Sequence, residues 1–338
     1  MFSRVTEVLQ RPSLIQLRGN LLIARFEMMK VCSALEALRL LLRDGVLTPG
    51  DTVIDSSSGL YAQSLALAAH RFGLNCYIVG STTISPDLQV QLRLLGATLE
   101  CVEHSSSLKY DQLMRVSRIH EILREHPDFH WMRQYHDRVH YAGYAAIADA
   151  VADEIGLDNL SIIGGVGSGA STGGIVSVLR GYNDSVRAVG IQPFGSLTFG
   201  SEAVADPDIL VAGIGSSIPF DNVCYPLYDE IHWLGFNVAL SGTIALLADH
   251  TIYAGPSTGL GYAVASHLAG SHPDQDFLFI APDTGHRYAE SVYSRFAEAE
   301  PLADFTPSFV DSAAELRMPW SAMHWNRRTY SIQEEAGS

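Results

Sequence analysis

Two features of this chain have residue types and spacing suited to chemistry. The first is the stretch 160–176, LSIIGGVGSGASTGGIV. Residues 160–163 predict a short buried strand. Gly164, Gly165, Gly167, Gly169, Gly173 and Gly174 follow, with Ser168, Ser171 and Thr172 among them, and a helix is expected from Ile175. A strand, a glycine-rich turn and a helix start make an anion cradle. Glycine lets the backbone approach a guest, free N–H groups point inward, and the helix dipole adds attraction. A phosphate is the expected guest. The turn matches neither a full G-x-G-x-x-G nor a P-loop, which would need Gly-Lys-Ser/Thr. The second feature is scarcity: Lys30 and Lys109 are the only lysines in the chain. Any chemistry that needs a lysine amine must use one of them.

The elements that would position these groups read as α/β. The chain has 338 residues, of which 47% are hydrophobic, enough for two domains or one large unit. A formal net charge of −15 argues against nucleic-acid partners and against an anionic membrane surface. Cys32, Cys76, Cys101 and Cys224 are scattered without a C-x-x-C pair, so free thiols in a reducing, cytoplasmic compartment are expected, with no zinc site. The first residues lack the apolar core of a signal peptide, and no apolar run is long enough to span a bilayer.

Strands are predicted at 14–17 and 21–26, then a helix over 33–43, with Ser33 and Glu36 as a capping box or, alternatively, a start one turn earlier. Strands at 52–55, 75–79 and 98–102 alternate with helices at 62–72, 85–95 and 110–125. That rhythm predicts a parallel sheet. Residues 126–137 break the pattern, and a helix is expected over 141–155. Beyond the glycine turn, strands are predicted at 186–191, 230–234 and 276–281, with helices at 241–247 and 260–268. Residues 194–218 read as an irregular loop over a cleft.

Several stretches in the right order resemble the cysteine synthase branch of the fold type II pyridoxal-phosphate (PLP) enzymes, the tryptophan synthase β superfamily. Gly167-Ser-Gly-Ala-Ser171 is similar to that family's GTGGT phosphate loop. Thr83-Ile-Ser85 through Leu94-Leu-Gly-Ala97 resembles its E-T-M-S…L-x-x-L-G-A helix. Gly213-Ile-Gly-Ser-Ser-Ile-Pro219 resembles G-I-G-x-x-x-I-P, Gly255-Pro-Ser-Thr-Gly259 stands for G-I-S-S-G, and Pro282-Asp-Thr-Gly-His-Arg-Tyr288 resembles P-x-S-G-E-R-Y. The resemblance implies two parallel or mixed open-sheet α/β domains with the cofactor cleft between them. The expected division is a large PLP-binding domain, 1–47 and 146–325, a smaller α/β domain, 48–145, and a frayed tail, 326–338.

In the family the cofactor-bearing lysine sits in a loop reading N-P-x-x-S-V-K. Counting forward from Phe26-Glu27 lands on Glu36. Counting back from Gly45-Val-Leu-Thr-Pro-Gly50, which matches G-x-L-x-P-G, lands on Lys30. The backward count crosses one continuous helix, where insertions are costly, so Lys30 is the expected Schiff-base residue and general base, behind a shortened loop. Lys109 is expected to be solvated.

The resemblance carries over Gly167, Ser168, Gly169, Ala170 and Ser171 for the phosphate and Ser257 for the pyridine nitrogen. Ser57, Ser58, Gly59 and Gln134 would hold the substrate carboxylate. The family's T-S-G-N-T-G reads here Ser57-Ser-Gly-Leu60-Tyr61-Ala62, so Leu60 replaces the asparagine that bonds the cofactor's phenolic oxygen. The implied activity is β-elimination or β-replacement on a serine-like or cysteine-like amino acid, as in cysteine synthases or 2,3-diaminopropionate synthases, in a homodimer and in specialised biosynthesis. The alternatives are a catalytically silent scaffold, motivated by Leu60, and a β-lyase or deaminase releasing pyruvate and ammonia. His136 and His140 have helix-like spacing for a metal, but no third ligand is evident. Ser168 does not fit the hydrolase frame G-x-S-x-G.

Overall fold

The computed structural model describes residues 1–82, 84–103, 108–208 and 213–330, with the side chains of 108–110 excepted. Thr83, the Lys109 side chain and tail residues 331–338 therefore lie outside the described residues. The first elements are helix α1 (Val5–Leu9), strands β1 (Ser13–Arg18) and β2 (Leu21–Arg25), and helix α2 (Lys30–Arg43). Next come β3 (Thr52–Ser56), α3 (Leu60–Phe72), β4 (Asn75–Ser81), α4 (Pro86–Leu94), β5 (Thr98–Val102), α5 (Leu108–Glu125) and β6 (His130–Trp131). The remainder runs α6 (Ala145–Glu154), β7 (Leu160–Gly165), α7 (Ala170–Tyr182), β8 (Arg187–Pro193), β9 (Glu230–Leu234), α8 (Phe236–His250), α9 (Pro256–Ser271), β10 (Asp276–Ala281), β11 (Ser308–Phe309) and β12 (Trp320–His324).

The chain divides into two compact units. The first comprises Met1–Arg11 and Met28–Tyr144. Its described residues form a four-stranded parallel sheet in the order β5-β4-β3-β6. Period-two alternation sorts its side chains. Val53 and Ile78 join the cluster built by α2, α3 and α4, whereas Ile54 and Val79 meet Ile119 and Ile122 of α5 on the opposite face. With both faces covered, β3 is buried from Val53 through Ser56.

The second unit comprises Pro12–Glu27 and Ala145–Ser338. Its described residues form an eight-stranded mixed sheet, β1-β2-β10-β7-β8-β9-β12-β11. The β2-β10-β7-β8-β9 core is parallel, and β1 and β12 add antiparallel to its two sides. Helices α8 and α9 cross at glycines: a Cβ on Gly242 would collide with the Gly259 carbonyl. Gly242→Ala should therefore lower stability by about 2 kcal/mol through overpacking. A fall in the urea midpoint at unchanged slope would register it; an unmoved midpoint would refute the close fit.

Several expectations need adjusting. Residues 1–47 were assigned to the large domain, but only Pro12–Glu27 of them fall there. Helix α2 goes with the smaller unit because Val31, Ala34, Leu35 and Leu38 form a helical stripe that packs with Leu65, Ala66 and Ala69 of α3. Ser33 is not a cap. The helix begins at Lys30, Ser33 Oγ lies 3.0 Å from His140 Nδ1, and Glu36 pairs with Arg39 instead. Helix α7 starts at Ala170, before the expected Ile175, and α9 starts at Pro256, before the expected Leu260. Both early turns contain residues that propensity alone would leave in loops, and burial holds them in the helix. Residues 326–330 do not fray. The backbone N–H groups of Asn326 and Arg327 bond the carbonyls of Asp229 and Tyr228 at 2.9 and 2.8 Å.

Candidate active site

In the larger unit, β7 delivers the chain to the glycine turn at the C-terminal edge of the parallel core. Val166 N–H donates to Ile191 O at 3.0 Å, and its carbonyl accepts from Gly215 N–H at 2.8 Å and Gln192 Nε2 at 2.6 Å. These bonds fix the N-terminal end of the turn. Gly169 caps α7 in the left-handed region at φ +80°, a conformation glycine adopts without strain. A Cβ on Gly167 would collide with the Gly213 carbonyl, so the turn also fits closely against residues 213–215.

The first intrahelical bond here runs from Gly173 N–H to Gly169 O at 2.9 Å. The N–H groups of Ala170, Ser171 and Thr172 therefore precede the helical ladder and point out of the helix start, the geometry that attracts an anion. Gly167, Ser168, Gly169, Ala170 and Ser171 are thus brought together as one cradle, and Ser168 is buried.

Ser257 belongs to the same unit. It sits in the first turn of α9 behind Gly255 and Pro256. Its hydroxyl is buried and has no hydrogen-bond partner among the described residues. Nearby, Asp283 lies two residues beyond the end of β10: a Cβ on Gly255 would collide with its Oδ1. Burial pushes the Asp283 carboxyl up to about 6, and Tyr288 donates to its Oδ2 at 3.0 Å. Buried polar groups in native proteins are rarely left unpaired without cause. An unpaired buried hydroxyl and a row of free N–H groups fit a heteroaromatic ring with a phosphate.

In the smaller unit, β3 ends at Asp55 and Ser56 and leads into Ser57-Ser-Gly59. Ser57 Oγ accepts from Gly59 N–H at 3.2 Å and from Ala62 N–H at 3.1 Å, so it caps α3 while keeping its own proton to donate. Ser58 Oγ accepts from Ser81 N–H at 2.7 Å. Gln134 is buried beside them: its Nε2 donates to Ser56 O at 2.7 Å and its N–H to Asp55 Oδ2 at 3.0 Å. Leu60 opens α3 and packs against the apolar cluster, offering no hydrogen bond.

Lys30 lies in this smaller unit as well, as the first residue of α2. The residue is partly exposed overall, but desolvation of its amine pushes the pKa down to about 8. The start of α2 is fastened through Ser33 to His140, whose Nε2 donates to Met132 O at 2.9 Å. Both ring nitrogens of His140 are used, and burial pushes its pKa down to about 4.

Two groups escaped the sequence reading. Asp55 organises the serine turn by accepting from Ser56 N–H, Gln134 N–H and Trp131 Nε1, and burial pushes its carboxyl up to about 6. The only signal for it was a charge at the end of an apolar strand. Arg115 is buried and pairs with Asp111 at 3.2 Å. Its charge is felt by the Tyr135 phenol, which also hydrogen-bonds Ser56. In sequence, both lie within the helix expected over 110–125, with nothing to mark them out.

The family model described as pyridoxal-phosphate dependent enzyme matches residues 26–283. The chain belongs to this family of PLP-dependent enzymes. Among curated relatives, the N-(2-amino-2-carboxyethyl)-L-glutamate synthase of Cupriavidus metallidurans is 31% identical over 260 residues, 75% of this chain and 74% of the relative. The synthase of the same name from Ralstonia nicotianae is 30% identical over 254 residues, with the same coverage. Among solved structures, the O-acetylserine dependent cystathionine beta-synthase from Helicobacter pylori superposes with a TM-score of 0.76 at 21% identity, covering 87% of this chain and 99% of that one. This last likeness speaks to the fold, and the mixed α/β sheets of this PLP-dependent enzyme match the expected fold type II architecture. No helix among the described residues is long and apolar enough to cross a membrane.

Proposed function

We propose that this PLP-dependent enzyme carries out β-replacement on a serine-like amino acid in specialised biosynthesis, with Lys30 as the cofactor-bearing residue. The observation that carries the reaction type is Ser257. Its buried hydroxyl, free of protein partners among the described residues, would meet the pyridine nitrogen as a neutral group. A neutral partner leaves that nitrogen unprotonated, which tempers the electron sink and suits loss of a β leaving group. When bound, the cofactor supplies that sink next to the substrate α-carbon.

The chain's own residues supply the rest. Gly167, Ser168, Gly169, Ala170 and Ser171 hold the phosphate through backbone N–H groups and hydroxyls. Ser57, Ser58, Gly59 and the N-terminus of α3 take the substrate carboxylate, and Gln134 fixes that turn from behind. Lys30 Nζ, with a pKa of about 8, removes the α-proton and returns it after the nucleophile has added. A nucleophile with a further anionic group, such as the glutamate named in the relatives, is in keeping with this reading. The four cysteines are all free, which fits a reducing cytoplasm, and the family resemblance supports a homodimer.

The test is product formation. The holoenzyme is incubated with O-phosphoserine or O-acetylserine, with and without glutamate, and products are read by mass spectrometry. A C–N adduct formed only when both substrates are present is expected. Pyruvate released at the same rate with and without nucleophile would replace this reading by elimination.

A further inference from the structure

The glycine cradle of the larger unit has a cover, and that cover is held from outside by the end of the described chain. A Cβ on Gly169 would lie 2.9 Å from both the Asn222 carbonyl oxygen and Val223 Cα, so residues 222–223 rest against the start of α7. Shortly after them, Asp229 is a junction. Its Oδ2 accepts from Arg180 of α7 at 2.6 Å and from Ala188 N–H at 2.7 Å. Its Oδ1 accepts from Arg327 Nε at 2.8 Å, and its carbonyl accepts from the N–H groups of Trp325 and Asn326 at 2.8 and 2.9 Å. Arg180 also donates to Leu227 O at 2.7 Å, and Arg327 reaches Asp184 Oδ1 at 3.1 Å.

Aromatic packing continues the same grip. The Phe199 ring lies 4.9 Å from Trp325 and 5.0 Å from Tyr225, and the Tyr330 ring lies 5.2 Å from Tyr225. A Cβ on Gly200 would come within 2.7 Å of the Tyr330 hydroxyl. The backbone supplies a separate sign. Asn326 and Arg327 both adopt the left-handed region, at φ +53° and +56°. That conformation is uncommon for arginine and persists only where the surroundings over-determine it.

We propose that residues 325–330, anchored by Arg327, position the cofactor's phosphate by holding residues 222–229 against the start of α7. Arg327 is a positioning residue here and touches neither cofactor nor substrate. The reason is the nature of the cradle. Its N–H donors are useful only while they converge, and a glycine turn has little stiffness of its own. Stiffness must come from the chain packed over it, and that chain is fastened through Asp229. The inference rests on the cradle being the phosphate site.

The experiment uses the full-length holoenzyme and Arg327→Gly. Glycine tolerates the positive φ, so backbone strain is relieved while the guanidinium is lost. Three quantities are read: the phosphorus NMR signal of the bound cofactor, its rate of release into an acceptor, and the thermal midpoint of the apoprotein. Release should speed up roughly tenfold, the scale expected for lost charge-assisted bonds, and the phosphorus signal should broaden toward that of free cofactor. A lowered midpoint with unchanged release and an unchanged signal would reduce the arm to a stabilising strap and overturn the proposal. A wild-type signal identical to that of free cofactor would instead overturn the cradle reading itself. Tyr330→Ala, which strips the ring from Tyr225 and leaves Asp229 intact, decides by the same readouts if Arg327→Gly does not fold.

Discussion

Lys30→Met is expected to abolish turnover and remove the visible absorption band of the lysine-bound cofactor, while the apoprotein should become more stable at neutral pH. The first two effects follow from chemistry. Methionine has no amine to hold the cofactor or to take the α-proton, and the only other lysine, Lys109, falls outside every motif of the site. Loss of a general base alone costs roughly a hundredfold to ten-thousandfold in rate. Loss of the covalent anchor should bring activity below detection. Borohydride reduction followed by peptide mapping identifies the attachment point, and an adduct on any residue other than Lys30 would end this assignment.

The third effect follows from the lowered pKa. Desolvation brings the Lys30 amine from 10.5 to about 8, so below pH 8 the folded state carries a buried charge that the unfolded state solvates. The unfolded state binds more protons between pH 8 and 10.5, so wild-type stability rises with pH through that window. Methionine removes the penalty. The variant apoprotein should exceed wild type by about 1–3 kcal/mol at pH 7, a range reduced for the partial exposure of the residue. The gap should close above about pH 10.5. Urea titrations at several pH values test it, and a gap independent of pH would show that packing, not charge, separates the two proteins.

Gly167→Ala should cost the enzyme its cofactor. The added methyl collides with the Gly213 carbonyl, a backbone atom that cannot rotate aside. Either the turn or residues 213–215 must shift, and the Gly215 N–H to Val166 O bond couples the two. Displacing the N–H groups by about 1 Å is enough to forfeit most of an oriented anion site. PLP affinity should fall by roughly two orders of magnitude, the equivalent of about 3 kcal/mol. Equilibrium dialysis gives the number directly. Inorganic phosphate supplies a cleaner control, since it competes for the cradle alone. Retention of wild-type PLP affinity would mean that the phosphate lies elsewhere.

Much of this was legible in the chain as written. The β-α-β rhythm of 50–125 identified a parallel sheet because strand and helix periods differ and Gly96 marks a stop. The cradle could be seen because only a close backbone approach explains so many glycines between a strand and a helix. Scarcity narrowed the reactive amine to Lys30 or Lys109, and the resemblance to the family's lysine motif made Lys30 the expected one. Other features depend on contacts that local sequence cannot encode. The starts of α7 and α9 come earlier than propensity suggests, because burial against the sheet outweighs the weak helix preference of Gly, Ser and Thr. Ser33 looked like a cap until His140, far along the chain, claimed its hydroxyl.

The sequence alone determined the α/β architecture, which rests on short-range periodicity; through the motifs it shares with a known family it determined the cofactor class and made Lys30 the expected reactive amine. Only the tertiary structure assigned α2 to the smaller unit, buried Asp55 and Arg115 near the serine turn, and bent the last described residues back onto Asp229. Those outcomes depend on which apolar faces and charges meet between separate segments, as with Asp55 and Gln134, 79 positions apart, and Asp229 and Arg327, 98 apart. The balance of desolvation against pairing that decides them exists only once the chain has folded.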